Sequence, residues 1–162
     1  MPTPSIHALP DGAAPLNKGD ILAQVDVGWR ELREGIRHLG RGGMRERTPT
    51  GWTYKDLIAH LAAWEEEAAR RLRALATGGA VPVFGSDAEI DAFNARAVEE
   101  RSLVGAEAIV DELEAAHRQL VKIVADLSEE IVADTRAQRW IGGNTFGHYA
   151  EHRDELRAFT SR

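Results

Sequence analysis

The chain has 162 residues, 43% hydrophobic and 28% charged, the size and balance of one globular domain with one core. A net charge of -6 gives no overall basic field to hold a phosphate backbone, which argues against sequence-independent nucleic-acid binding, and the lack of cysteine excludes disulfides, thiolate metal sites, iron–sulfur clusters and a cysteine nucleophile. No run approaches the roughly 20 apolar residues of a membrane span, and the N-terminus has neither a basic nor an apolar signal region, so the cytoplasm is the expected address.

Residues 1–16 carry Pro2, Pro4, Pro10 and Pro15 among small residues and read as a tail, flexible or laid over the surface, with His7 incidental; 17–162 form the domain. From Asn17, a capping residue, Leu22, Val25, Trp29, Leu32, Ile36 and Leu39 recur at spacings of three and four, which predicts a long amphipathic helix that the glycines of 40–43 end. His38 falls on its flank. Thr53 and Asp56 form a capping-box pair for a second helix, with Trp52 placed as a hydrophobic staple. Tyr54, Leu57, Leu61, Trp64, Ala68, Leu72 and Leu75 make its inner stripe, and Glu66–Arg70 and Glu67–Arg71 are spaced as pairs on its wet side.

Gly78 and Gly79 stop that helix, and 81–85 is a short extended connection. Ser86 with Glu89 opens a helical crossover that carries Ile90, Phe93 and Ala97, and a crossover of that length lets two bundle helices run parallel. After Gly105 comes a third long helix on Ile109, Leu113, Ala116, Leu120, Ile123 and Leu127, with His117 beside the stripe. An irregular stretch from Ser128 to Gly143 holds Trp140. The last helix starts at Asn144 or Thr145 as cap, and Thr145, Tyr149, His152, Leu156 and Phe159 hold its inner line. Strand signals are nearly absent, so the expected fold is all-α, a four-helix bundle with a helical crossover between the second and third long helices.

Histidines stand where leucines would be expected on these inner stripes. A buried imidazole without a partner costs on the order of 1 to 3 kcal/mol, and a divalent cation removes that cost. His148 and His152, four apart, present one helix face to one target, and His60 on the second helix would close a three-nitrogen set with a position open to water or substrate. His117 competes with His60 for the third place. Glu151 and Glu155 fall largely on other faces and are expected to be solvated or, at most, to stand behind the ligands.

The string from Gly51 to Glu65, with a tryptophan ahead of the helix and a histidine ahead of a Trp-Glu pair, resembles the second-helix motif of the DinB/YfiT-like superfamily of four-helix bundles. Asp91 to Arg96 with Glu99-Glu100-Arg101, and the closing Asn144 to Arg153, resemble its ClbS/DfsB-type branch. The resemblance spans roughly residues 18 to 161. It implies a His-His-His site for nickel, zinc or a similar ion, mapping onto His60, His148 and His152, and a homodimer. Members include thiol-dependent transferases and isomerases of the maleylpyruvate isomerase type, and the ClbS branch includes a self-protection protein that hydrolyses a cyclopropane warhead. That protein is not characterised by the triad, so its reaction is not carried over. The expectation is a metal-dependent hydrolase or thiol-dependent transferase acting on a small electrophile; the alternative is a non-catalytic protein that sequesters a small molecule in self-protection.

Overall fold

A computed structural model describes residues 14–81 and 83–160. Of the expected tail, 1–13, with His7, lie outside the described residues. Leu16 is held against the bundle: its N–H donates to Gln138 Oε1 and its carbonyl accepts from Gln138 Nε2, both at 3.0 Å.

The helices are α1 (Lys18–Gly43), α2 (Tyr54–Ala76), α3 (Asp87–Glu100), α4 (Ala106–Asp126), α5 (Glu129–Val132), α6 (Thr135–Asn144) and α7 (Phe146–Thr160). Their starts follow the caps read from the sequence. Asn17 accepts from the Asp20 N–H at 2.8 Å, and Thr53 and Asp56 form both arms of the capping box. Ser86 caps α3 through the Glu89 N–H, but the Glu89 carboxylate takes the Gly85 N–H, so that box is only half closed.

Three boundaries differ from the sequence reading. The first helix breaks at Gly40, where φ is 57°, and one more turn carries on to Gly43. The stretch 128–143 is helical, because Ser128 and Asp134 each accept a backbone N–H and start α5 and α6. Thr145 precedes α7 and its carbonyl accepts the Tyr149 N–H at 2.8 Å, but the side chains turn back to close α6: Asn144 Nδ2 donates to the Trp140 carbonyl at 2.8 Å and Thr145 Oγ1 to that of Ile141 at 2.6 Å. Among the described residues there is one isolated bridge, Arg47 with Thr53, and no strand.

The side chains that meet across the bundle give its topology. Lys55 reaches the Ser102 carbonyl just ahead of α4, and further along Glu65 meets His117, so α2 and α4 run parallel, as the α3 crossover allows. Gly28 faces Phe146, Gly35 faces Leu156 and Gly43 faces Phe159, so α1 and α7 are also parallel. Arg33 with Glu114 and Arg41 with Glu107 make α1 and α4 antiparallel. Two apolar clusters fill the interior. One is built on Leu57, Leu61, Ile109 and Leu113, the other on Leu72, Leu120, Val124 and Ile141.

The wet side of α2 is narrower than its spacing suggests. Glu66 accepts from Arg101 rather than from Arg70, and both Arg70 and Arg71 pair with Glu67. Arg71 is buried, its guanidinium 5.0 Å from the Phe84 ring centre and 5.9 Å from that of Trp140, because α6 and the 83–85 segment cover this face.

Candidate metal centre

His60, His148 and His152 come together between α2 and α7, although 88 residues separate the first two. They are 1%, 2% and 7% exposed, and each offers a nitrogen within 4.8 Å of the others. His60 is on the inner face of α2. The one-turn spacing of His148 and His152 puts both on the face of α7 that looks back at it. His60 and His148 meet Nε2 to Nε2 at 2.9 Å.

Glu155 fixes the third ring. Its Oε1 lies 2.6 Å from His152 Nδ1, while its Oε2 accepts from Thr50 Oγ1 at 2.9 Å. An Nδ1–H donated to Glu155 leaves the lone pair of His152 on Nε2. The 44–53 loop that supplies Thr50 folds back because Gly51 takes φ 100°, a conformation strained for other residues, and because Thr48 N–H donates to the Trp52 carbonyl at 2.7 Å. That turn carries Trp52 over the site, with its ring centre 5.0 Å from His60. Trp52, placed by the sequence as a helix staple, is also a wall of the triad. Trp64 stands on the other side of His60 at 6.5 Å, oriented by a 2.8 Å bond from its Nε1 to Asn94 Oδ1.

Burial sets the electrostatics. Removal from water, then the charge on His152, push His60 from the ordinary 6.5 to about 3; Asn94 and Glu155 pull weakly the other way. Burial, followed by the repulsion that a proton on His148 would meet from a protonated His60 or His152, holds His148 well below its ordinary value. Burial works to raise the Glu155 carboxyl, but the bonds from His152 and Thr50 outweigh it and hold it below the usual range. The site is thus two neutral imidazoles and a third tied to a carboxylate.

This donor set fits a divalent cation. His60 Nδ1, His148 Nδ1 and His152 Nε2 are buried without a hydrogen-bond partner, a concentration of unmet polar atoms that packing alone does not explain. Two nitrogens bound to one zinc ion at about 2.0–2.1 Å are at most about 4.2 Å apart. The observed nitrogens lie within 4.8 Å of one another, close to that limit. Three neutral nitrogens suit zinc, nickel, copper or iron and leave positions open.

His117 is not part of this group. Its Nδ1 lies 3.0 Å from Glu65 Oε2 and 3.2 Å from the Tyr149 hydroxyl, and Trp29 stacks on its ring at 3.8 Å. Glu65, wholly buried, entered the sequence reading only as part of the Trp-Glu pair and with no role, although it stands four residues after Leu61 and three before Ala68, on the inner stripe. Glu155 had a signal too, three residues after His152.

Residues 13–155 match the family model of the DinB superfamily. No curated protein matches the chain. Among solved structures, an uncharacterised protein from Escherichia coli UTI89 aligns with a TM-score of 0.78 at 19% identity, covering 91% of this chain and 95% of its own. The colibactin self-resistance protein ClbS, in complex with double-stranded DNA, aligns at 0.77 and 16% identity, covering 91% and 98%. DfsB, described as a sibling lethal factor precursor, aligns at 0.75 and 14%, covering 90% and 95%. At these identities the likeness is one of fold.

Proposed function

The chain belongs to the DinB superfamily, and from that premise we propose that His60, His148 and His152 hold a divalent cation, nickel or zinc, in a hydrolase or thiol-dependent transferase acting on a small electrophile. One observation carries the reading: three buried imidazoles converge while a ring nitrogen of each lacks a partner. When bound, such an ion supplies Lewis acidity and lowers the pKa of a coordinated water or thiol. The chain's own residues supply the rest. Glu155 and Thr50 keep His152 in one tautomer and one orientation. Trp52 and Trp64 flank His60 and shield it from water. Burial keeps His60 and His148 neutral, and therefore able to donate lone pairs, far below neutral pH. The family resemblance also carries a homodimer into the proposal.

Metal analysis of protein purified without a histidine tag tests the reading. The expected result is stoichiometric nickel or zinc in the parent and its loss in His148→Ala. A parent with no stoichiometric metal, even after incubation with either ion, would falsify it.

A groove of about 380 Å³ between α1 and α7, walled by Leu32, Phe146, Tyr149 and Leu156, favours a second reading, sequestration of an apolar small molecule. It does not include the triad. Binding of an apolar fluorescent probe that survives both chelation and His148→Ala would support it. ClbS carries this fold beside double-stranded DNA, so the fold does not itself exclude nucleic acid, and the expectation against it rests on the acidic balance of this chain alone. A gel shift with double-stranded DNA at low salt decides that point.

A further inference from the structure

A polar node interrupts the apolar interior beside the cluster built on Leu57 and Leu61. Each of the four long helices contributes one residue: Trp29 from α1, Glu65 from α2, His117 from α4 and Tyr149 from α7. The Tyr149 hydroxyl donates to Glu65 Oε1, His117 Nδ1 stands 3.0 Å from Glu65 Oε2, and Trp29 lies nearly parallel to His117, at 8°. A carboxylate buried this deeply is costly, and apolar residues of similar volume often stabilise a core more. Stability alone gives no reason for it.

The α2–α7 seam supplies one. α7 packs chiefly on α1 and α6 and little on α2. Its register on α2 therefore rests on directional bonds more than on apolar area. Two of these bonds run in opposite senses: along α2 they bracket His60, and along α7 they span 149 to 155, which takes in His152 and leaves His148 next to Tyr149. Tyr54 of α2 donates its hydroxyl to the Glu155 carbonyl of α7 at 2.6 Å, and Tyr149 of α7 donates to Glu65 of α2. His60 falls midway between Tyr54 and Glu65. A slip of α7 by one residue rotates its side chains by about 100° and would carry His148 and His152 off the seam. Both tyrosine bonds would break with it.

We infer that Tyr149 with Glu65, and Tyr54 with the Glu155 carbonyl, are positioning clamps that fix α7 on α2 and so set the spacing of His60, His148 and His152. The role of these clamps toward a cation rests on the reading above, but the spacing they set is a property of the metal-free chain. His117 holds the Glu65 carboxyl as well, and Trp29 stacks on His117.

Three variants test this: Tyr149→Phe, Glu65→Leu with Tyr149→Phe, and Glu65→Gln. Two quantities are read, the nickel dissociation constant and the imidazole ¹⁵N resonances of the metal-free protein. The first two variants are expected to keep the parent's helical circular dichroism, to bind nickel about 10- to 100-fold more weakly, and to move the His60 and His148 resonances. Glu65→Gln, which keeps an acceptor for Tyr149, is expected to recover most of the affinity. If the double variant fails to fold, Tyr149→Phe, which removes a single oxygen, carries the test. Imidazole resonances that superpose on those of the parent in the folded variants overturn the clamps, whatever nickel does. A parent that binds no nickel, but whose imidazoles move in Tyr149→Phe, sinks the metal reading and leaves the clamps standing.

Discussion

A neutral imidazole tolerates burial and a charged one does not, and that difference makes the triad a pH liability once no ion occupies it. His60 titrates at about 3 in the folded chain against an ordinary 6.5, beside His148, His152, Asn94 and Glu155. Between those pH values the unfolded chain binds the extra proton, so the stability contributed by neutral burial is complete above about pH 6.5 and is lost as pH falls toward 3. At about 1.4 kcal/mol per pH unit, His60 alone removes about 2 kcal/mol by pH 5, and His148 adds in the same direction. The urea midpoint of metal-free protein is expected to fall steadily from pH 7.5 to 5, and to fall less in His60→Gln; a midpoint flat over that range would contradict the burial. At this scale the sequence names the three histidines and, in Glu155, one group standing behind them, but not the Thr50 that holds Glu155. His60 is recognisable because it replaces an apolar residue on a stripe, and Glu65 on the same stripe receives no role, because a Glu in a charged run reads as surface.

The parallel approach of α1 and α7 is set by small residues. A Cβ built on Gly28 would lie 3.0 Å from Phe146 Cβ and 3.1 Å from its Cα, so the space between the two backbones is already taken. Gly42, by contrast, has nothing within 4 Å of that position. Gly28→Ala gains up to about 1 kcal/mol of helix propensity but incurs an overpacking cost of about 1–3 kcal/mol against a backbone that cannot yield easily. The expected outcome in thermal denaturation is a lower midpoint for Gly28→Ala and an unchanged or higher one for Gly42→Ala; equal behaviour of the two would mean that the helices do not approach so closely. The long helices were legible as elements, since periodicity of three and four with Asn17 and Thr53 as caps is a local signal. The stretch 128–144 was not. Its helices are short, interrupted by Asp134, and stabilised where Ala137, Trp140 and Ile141 meet the core, so the sequence shows too few turns for a period to emerge.

For the whole molecule, an ion held by residues from α2 and α7 binds only the folded chain, which couples occupancy to global stability. Nickel or zinc at about 100 times its dissociation constant is expected to add about 2.7 kcal/mol, a rise of roughly 5–10 °C in melting temperature for a chain of this length. His148→Ala is expected to show no such rise, and a parent melting curve indifferent to both metals would count against a site joining two helices. No helix among the described residues is long and apolar enough to cross a membrane. Composition and hydrophobic period by themselves determined the all-α class, the long helices and the crossover, and marked His60, His117, His148 and His152 as inward candidates, because each of these is written in spacings of a few residues. Tertiary structure alone decided that His117 joins Glu65 and Tyr149 instead of the triad and that Trp52 walls His60. Those partnerships join residues tens of positions apart or hang on which way a side chain turns across a helix seam, and a local period carries no information about either.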